Sequence, residues 1–289
     1  ERVGLGFGGV SEYGITVRWD KNFLTVLYAT LARRDKFRVY GGVRLGGTLT
    51  LDDAWELGFA HVAIAVGAGK PTMIDIENNL ERGIRKASDF LMGLQLTGAY
   101  KKSSLANLQV RLPAVVIGSG LTAIDTATEL AAYYIVQAEK ALQRYETLRK
   151  ERSLINGADE LEKGFDVEER EVLAELLEHG RAIRAERERA RAAGSEPRLQ
   201  QLIDQWGGVS IVYRKRLVDS PAYRLNHEEV HKAFEEGVRF LENLSPKRAE
   251  LDQYGALRSM KFERQQLTAD GKWIATGEIV ELPARTVCV

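Results

Sequence analysis

The sequence predicts an α/β fold organised around buried parallel strands, on three observations. Two apolar runs, HVAIAVG at 61–67 and AVVIG at 114–118, are continuous rather than alternating, as suits strands covered on both faces. The second runs straight into Gly118-Ser119-Gly120, with Thr122 and Ala123 opening a helix, which is the strand–turn–helix order of a dinucleotide-binding unit. A further β-type run, VSIVYRKR at 209–216, supplies the second strand such a unit needs. The class is therefore α/β, a Rossmann-like three-layer domain with a helical-hairpin insertion.

Taken from the N-terminus, NFLTVLYATLARR (22–34) carries Phe23, Val26, Leu27, Thr30 and Leu31 at helical spacing. Short strands are expected at 37–40, 43–46 and 48–51. A helical turn opening at Asp52 then leads to the buried strand at 61–67. ERGIRKASDFLMGL (81–94) reads as an amphipathic helix and TGAYKKSSLANL (97–108) as a polar connection. After the glycine turn, Ala127, Ala131, Tyr134, Ala138, Leu142, Tyr145 and Leu148 hold a helical stripe. An unbroken helix to Arg152 would span about 45–50 Å at 1.5 Å per residue, so it projects past an ordinary sheet. A turn at Asn156-Gly157 follows. Asp166 and Glu169 then form a capping box for a returning helix with Val172, Leu173, Leu176, Leu177 and Ile183 on one side. Gly194-Ser195 breaks it, Leu199 to Trp206 form a last helical piece, and Gly207-Gly208 end the helical material. Segment 133–207 is thus an insertion between the first and second strands of the unit.

Composition bounds the function classes. The 289 residues carry 41 basic and 41 acidic side chains and a formal net charge of zero, so no global attraction draws the chain to nucleic acid or to an anionic membrane. The apolar runs are far shorter than the ~20 residues that span a bilayer, and a cytoplasmic location is expected. Cys288 is the single cysteine, which rules out thiol–disulfide exchange and a cysteine-rich metal centre within this chain. Glu1 in place of methionine, and a closing apolar run ARTVCV (284–289) with no turn after it, suggest a piece of a longer polypeptide.

Glycines at 118 and 120 let the backbone turn sharply and approach a pyrophosphate, whose charge is met by free amides and the positive end of the following helix; the small Ala123 permits close helix–strand contact. The order of FGGVSEYGI (7–15), AIAVGAGKP (63–71), VVIGSGLTAIDTATE (115–129), VSIVYRKR (209–216), SPAYRLNHEEVHKAFEEGVRF (220–240) and TVCV (286–289) resembles the glutamate synthase small (beta) subunit branch. That branch belongs to the FAD-dependent pyridine nucleotide-disulphide oxidoreductase superfamily. The resemblance spans most of the chain except the insertion. It implies a fold of two Rossmann-like domains, residues 1–110 being part of the second, an FAD-binding domain, and 111–289 an NAD(P)-binding domain interrupted by 133–207. It further implies hydride passing between NADP(H) and FAD and onward, to an acceptor such as an iron–sulfur centre or subunit. By match to the family motifs Gly8, Gly9, Tyr13 and Gly14 would line the flavin, and Ala65, Val66 and Gly67 the crossing between domains. Thr16 stands where the family usually has proline. The family's flavin fingerprint would precede Glu1, so the isolated chain is expected to bind flavin poorly.

Hydride transfer between two cofactors asks for binding and orientation rather than a catalytic triad, and no catalytic side chain is assigned. Gly118, Ser119, Gly120, Leu121, Thr122 and Ala123 are the expected pyrophosphate cradle. Asp125 matches a family position but also suits a helix surface. The second strand ends Tyr213-Arg214-Lys215-Arg216; guanidinium and ammonium groups suit a ribose 2′-phosphate where an acidic residue would suit a free hydroxyl. Arg214 and Lys215 are the chosen pair, and the same residues also read as a solvated strand end. HEEVH (227–231) fits the zinc pattern H-E-x-x-H, but its neighbours Asn226, Glu229 and Lys232 are polar and no later histidine supplies a third ligand. No metal is therefore expected. His61 reads as a strand-edge residue and His179 as an exposed one. A second class remains open, in which the charge-rich insertion docks a partner subunit.

Overall fold

The computed structural model describes residues 23–65, 73–153 and 161–289. The chain divides into two compact units, one within Asp20–Thr72 and a larger one containing everything from Met73 to Val289.

In the smaller unit α1 (Phe23–Ala32) and α2 (Leu51–Glu56) form as the sequence suggests. The start of α2 is set by Thr50, whose hydroxyl accepts from the Asp53 amide while the Asp53 carboxylate accepts from the Thr50 amide, a reciprocal cap two residues ahead of the expected Asp52. The strands expected at 37–40, 43–46, 48–51 and 61–67 do not form among the described residues. An isolated bridge joins Leu45 and Leu49, residues 61–65 have no regular structure, and Ile64 is 70% exposed. An apolar run becomes a buried strand only when a neighbour takes its amides and layers cover its faces. Here only Ala54 is buried among the described residues of the unit.

The larger unit is built on a five-stranded, wholly parallel sheet in the order β1-β8-β2-β3-β4, from β1 (Ile84–Arg85), β2 (Ala114–Ile117), β3 (Val209–Val212), β4 (Arg239–Leu241) and β8 (Thr286–Cys288). Sequence had placed a helix over 81–94; β1 takes its first part and α3 (Ala87–Leu96) follows. Gly83 explains the difference. Its φ of +100° is a left-handed conformation, and a Cβ there would lie 2.9 Å from both the Arg285 carbonyl oxygen and Leu257 Cβ, so the segment is held flat against the sheet.

One face of this sheet is covered by helices. Ala114 and Val116 of β2 and Ile211 of β3 share a core with Phe90, Leu91 and Leu94 of α3, Ile124, Ala127 and Leu130 of α4 (Leu121–Ser153), and Val230 and Ala233 of α7 (Pro221–Glu235). The other face, with Val115, Val212 and Val287, packs on Met260 and Phe262. Those residues belong to an antiparallel meander of β5 (Leu244–Leu251), β6 (Leu257–Leu267) and β7 (Trp273–Pro283).

Between β2 and β3 run α4, α5 (Val167–Ala193) and α6 (Leu199–Gln205). α4 is 33 residues long, about 50 Å at 1.5 Å per residue. α5 starts on the reciprocal cap of Asp166 and Glu169 and ends at Gly194 in the left-handed conformation. The tip of α4 beyond Tyr145 is exposed, but the rest of the insertion is no detached arm: Tyr133, Tyr134, Ala138, Leu176, Ile183 and Ile203 belong to the same core as β2 and β3. Gly180 of α5 lies against α4, where an added Cβ would meet the Ala138 carbonyl oxygen at 2.7 Å. An acidic line on α5 completes the seam. Glu168 pairs with Arg82 at 2.8 Å, Glu171 accepts from Tyr254 at 3.0 Å, and Glu175 holds both Arg111 (2.5 Å) and Arg285 (2.8 Å). Burial raises the Glu175 carboxyl above the ordinary range despite Arg111.

His179 is corrected from exposed to half-buried. Its ring stacks on Trp206 at 3.9 Å, with Nδ1 2.6 Å from the Tyr134 hydroxyl. Burial pushes the phenol up and the imidazole down, so a neutral phenol and a neutral ring share this hydrogen bond.

Candidate functional site

The site begins with strand pairing. β2 and β3 lie side by side in parallel register, Val116 opposite Ile211 and Ile117 opposite Val212, although the whole of 118–208 lies between them in the chain. The Gly118 amide continues the ladder by donating to the Val212 carbonyl at 3.1 Å. Gly118 then turns with φ +137°, a conformation that residues bearing a Cβ rarely adopt. The carbonyl of Gly120 accepts from the Ala123 and Ile124 amides, which starts α4 and leaves the earlier first-turn amides without an intrahelical acceptor.

Two features suit this turn to an oxyanion. Ser119 is 4% exposed and its hydroxyl oxygen has no hydrogen-bond partner among the described residues, an arrangement that costs stability unless a ligand completes it. A Cβ added at Gly120 would meet nothing within 4 Å among the described residues, so there is space for a ligand to approach that residue. The N-terminus of α7 approaches the same point: the Ala222 amide donates to the Ser119 carbonyl at 3.1 Å, and Ser220 caps α7 by accepting from the Tyr223 amide. The sequence reading missed this second helix end, although Ser220-Pro221 carries its signal, an N-cap followed by proline. Of the other cradle residues, Leu121 is half-buried, Thr122 exposed and Ala123 buried. Asp125 is wholly buried in α4, which corrects the helix-surface alternative. It falls on the turn of helix that faces inward with Ile124.

The basic run lies just past the end of β3, on the same sheet edge as the glycine turn. The Tyr213 amide donates to Leu241 and its ring meets Phe240 edge-on at 6.4 Å. Arg214 is exposed and pairs with no carboxylate among the described residues. Lys215 is half-buried, its carbonyl accepting from the Asn243 amide at 3.2 Å. Arg216 is engaged elsewhere, with Nε and Nη2 donating to Asp219 at 2.8 and 3.1 Å. That contact holds the Asp219 carboxyl below its ordinary range.

Gly8, Gly9, Tyr13, Gly14, Val66 and Gly67 lie outside the described residues. Ala65 is exposed and in no strand. His61, expected on a strand edge, is exposed in an irregular segment. His227 and His231 are exposed, just after a kink at Asn226 in α7. Among the described residues no group of three His, Cys, Asp or Glu side chains is arranged to hold a metal. Cys288 is buried, which pushes its thiol up to about 12 and leaves it no thiolate for chemistry. No helix among the described residues is long and apolar enough to cross a membrane.

No family model matches the chain. It is 42% identical over 262 residues to an uncharacterized protein, RP006, of Rickettsia prowazekii (strain Madrid E), which covers 91% of this chain and 34% of that protein. The chain thus spans about a third of the length of the curated relative it matches. Among solved structures it is similar to the Mycobacterium tuberculosis oxidoreductase FprA. The complex of FprA with NADPH aligns with a TM-score of 0.53 at 17% identity, over 97% of this chain and 60% of that one. The atomic-resolution FprA structure, which revealed a covalent modification of NADP+, aligns with a TM-score of 0.51 at 17% identity, over 93% and 57%. At these identities the likeness establishes the fold: α/β, Rossmann-like, around a parallel sheet.

Proposed function

We propose that residues 111–289 form the NADP(H)-binding domain, interrupted by 133–207, of an FAD-dependent oxidoreductase similar to the glutamate synthase small subunit, and that 1–110 belong to its flavin domain, with β1 and α3 of that segment packed into the larger unit. The observation that carries the reading is the pairing of β2 with β3, which sets the glycine turn and the basic run on one sheet edge. In open α/β sheets ligands bind in that crevice. The structure of FprA with NADPH supports the same reading by analogy of fold.

The residues present fit a dinucleotide. The Ser119 hydroxyl and the first amides of α4 would donate to the pyrophosphate, whose passage needs the space left over Gly120. The Arg214 guanidinium, with the Lys215 ammonium beside it, would take the ribose 2′-phosphate. Arg216 contributes less, since Asp219 already satisfies it. A bound NADP(H) would supply hydride chemistry with FAD and onward to an acceptor such as an iron–sulfur centre; the part of this chain would be to bind and orient the dinucleotide.

Gly120→Val tests the cradle. An added Cβ meets nothing within 4 Å among the described residues, so the variant should fold with its unfolding midpoint lowered only by the poorer helix cap, while NADPH affinity measured by calorimetry should fall at least tenfold, on the order of 1.4 kcal/mol. Unchanged affinity would show that no pyrophosphate crosses this turn.

A further inference from the structure

The insertion encloses a cleft that the dinucleotide reading does not use. It has a volume of about 250 Å³ and lies between α4, α5 and the connection after α3. Its wall is apolar at Val136, Leu142 and Gly180, and the missing side chain at Gly180 is what brings the two helices close there. Everything else that lines it is polar and mostly cationic.

Two of the cations are already neutralised. Arg187 pairs with Glu139 at 2.5 Å, and Arg184 binds both oxygens of Glu146 at 2.9 and 2.7 Å. That leaves Lys102, Lys140 and Arg191 against the carboxylate of Glu188. Lys140 is 4% exposed, and an ammonium is costly to bury unless its donors are met. It donates to the Ala99 and Ala106 carbonyls at 2.9 and 3.2 Å; an ammonium has three donors, so these carbonyls leave one unused, and Lys140 is one of the residues lining the cleft. Burial and the neighbouring Arg144 hold this ammonium below its ordinary range, an environment that a bound anion would relieve.

We propose that this cleft is a second ligand site, for a small phosphate-type polyanion held by Lys140 at its floor and by Lys102 and Arg191 at its rim. Its volume falls below the roughly 300–1,000 Å³ of pockets that take drug-sized ligands, so a whole dinucleotide does not fit. The site is also remote from the glycine turn: Lys140 follows Gly120 by 20 positions, about 30 Å along α4 at 1.5 Å per residue.

The test is calorimetric titration of the whole chain with inorganic pyrophosphate, at ionic strength matched with chloride. Four proteins are compared: the unaltered chain, Lys102→Gln/Arg191→Gln, Gly120→Val and Lys140→Met. The rim variant keeps the test decisive if Lys140→Met fails to fold, because Lys102 and Arg191 are exposed. The expected result is saturable binding to the unaltered chain, weakened at least tenfold in the rim variant and retained in Gly120→Val, with NADPH affinity unchanged by the rim variant. Absence of saturable binding, equal affinity in the rim variant, or binding abolished by Gly120→Val alone would overturn the proposal.

Discussion

Gly180→Ala probes how the insertion is joined to the rest of the larger unit, because two effects of opposite sign meet at one methyl group. Alanine in the interior of α5 favours the helix by about 0.5–1 kcal/mol over glycine. Against this, the new Cβ would sit 2.7 Å from the Ala138 carbonyl oxygen and 2.9 Å from Leu142 Cβ. The first is backbone and the second is fixed to it, so neither can swing aside as a long side chain could. α4 and α5 must separate, and overpacking of this kind costs about 1–3 kcal/mol. The packing term wins, leaving a net loss of about 1–2 kcal/mol. In a domain of about 200 residues that lowers Tm by about 2–8 °C. Thermal unfolding followed by circular dichroism at 222 nm measures it, with Trp206 fluorescence as a local probe. A Tm equal to or above that of the unaltered chain would refute the close crossing.

Deleting 133–207 and bridging the ends with a short linker should abolish the cooperative unfolding transition, because Tyr133, Tyr134, Leu176, Ile183 and Ile203 leave the core shared with β2 and β3; a cooperatively folded deletion variant would mean that the insertion is a separable arm. His179 makes stability depend on pH. Burial lowers its folded pKa, so its contribution is fully present above the ordinary imidazole value of about 6.5 and is lost as pH falls through the folded value, since the unfolded ring takes up its proton first. Urea midpoints measured between pH 8 and 5.5 should decline over that window, and the decline should flatten in His179→Gln; identical slopes in the two proteins would contradict the assignment.

What was legible in the sequence depended on whether a pattern carried its own partner. AVVIG, the glycine turn and the long stripe from Ala127 to Leu148 are local signals, and VSIVYRKR could be recognised as the displaced second strand because a parallel unit requires one. The capping box at Asp166 and Glu169 was readable for the same local reason. HVAIAVG was misread: its continuous hydrophobicity matches a buried strand, but among the described residues no neighbour accepts its ladder. The meander went unread although KFERQQL and WIATGEIVEL carry β-branched and aromatic residues, and Asp270-Gly271 marks their turn; its role as the second covering layer exists only in three dimensions. At the site, glycine positions and basic residues were visible. The burial of Asp125, the neutralisation of Arg216 by Asp219 and the unpartnered Ser119 hydroxyl were not, since each depends on what the fold brings alongside.

Arg214 and Lys215 are proposed to face the same dinucleotide as the glycine turn, and parallel titrations with NADPH and NADH test this most directly. Charge-assisted hydrogen bonds of about 1.5–3 kcal/mol, discounted because Arg214 is exposed, give NADPH about a tenfold advantage. Arg214→Ala with Lys215→Ala should remove that advantage and leave NADH affinity unchanged. Tighter binding of NADH by the unaltered chain, or a preference for NADPH that survives both substitutions, would contradict it.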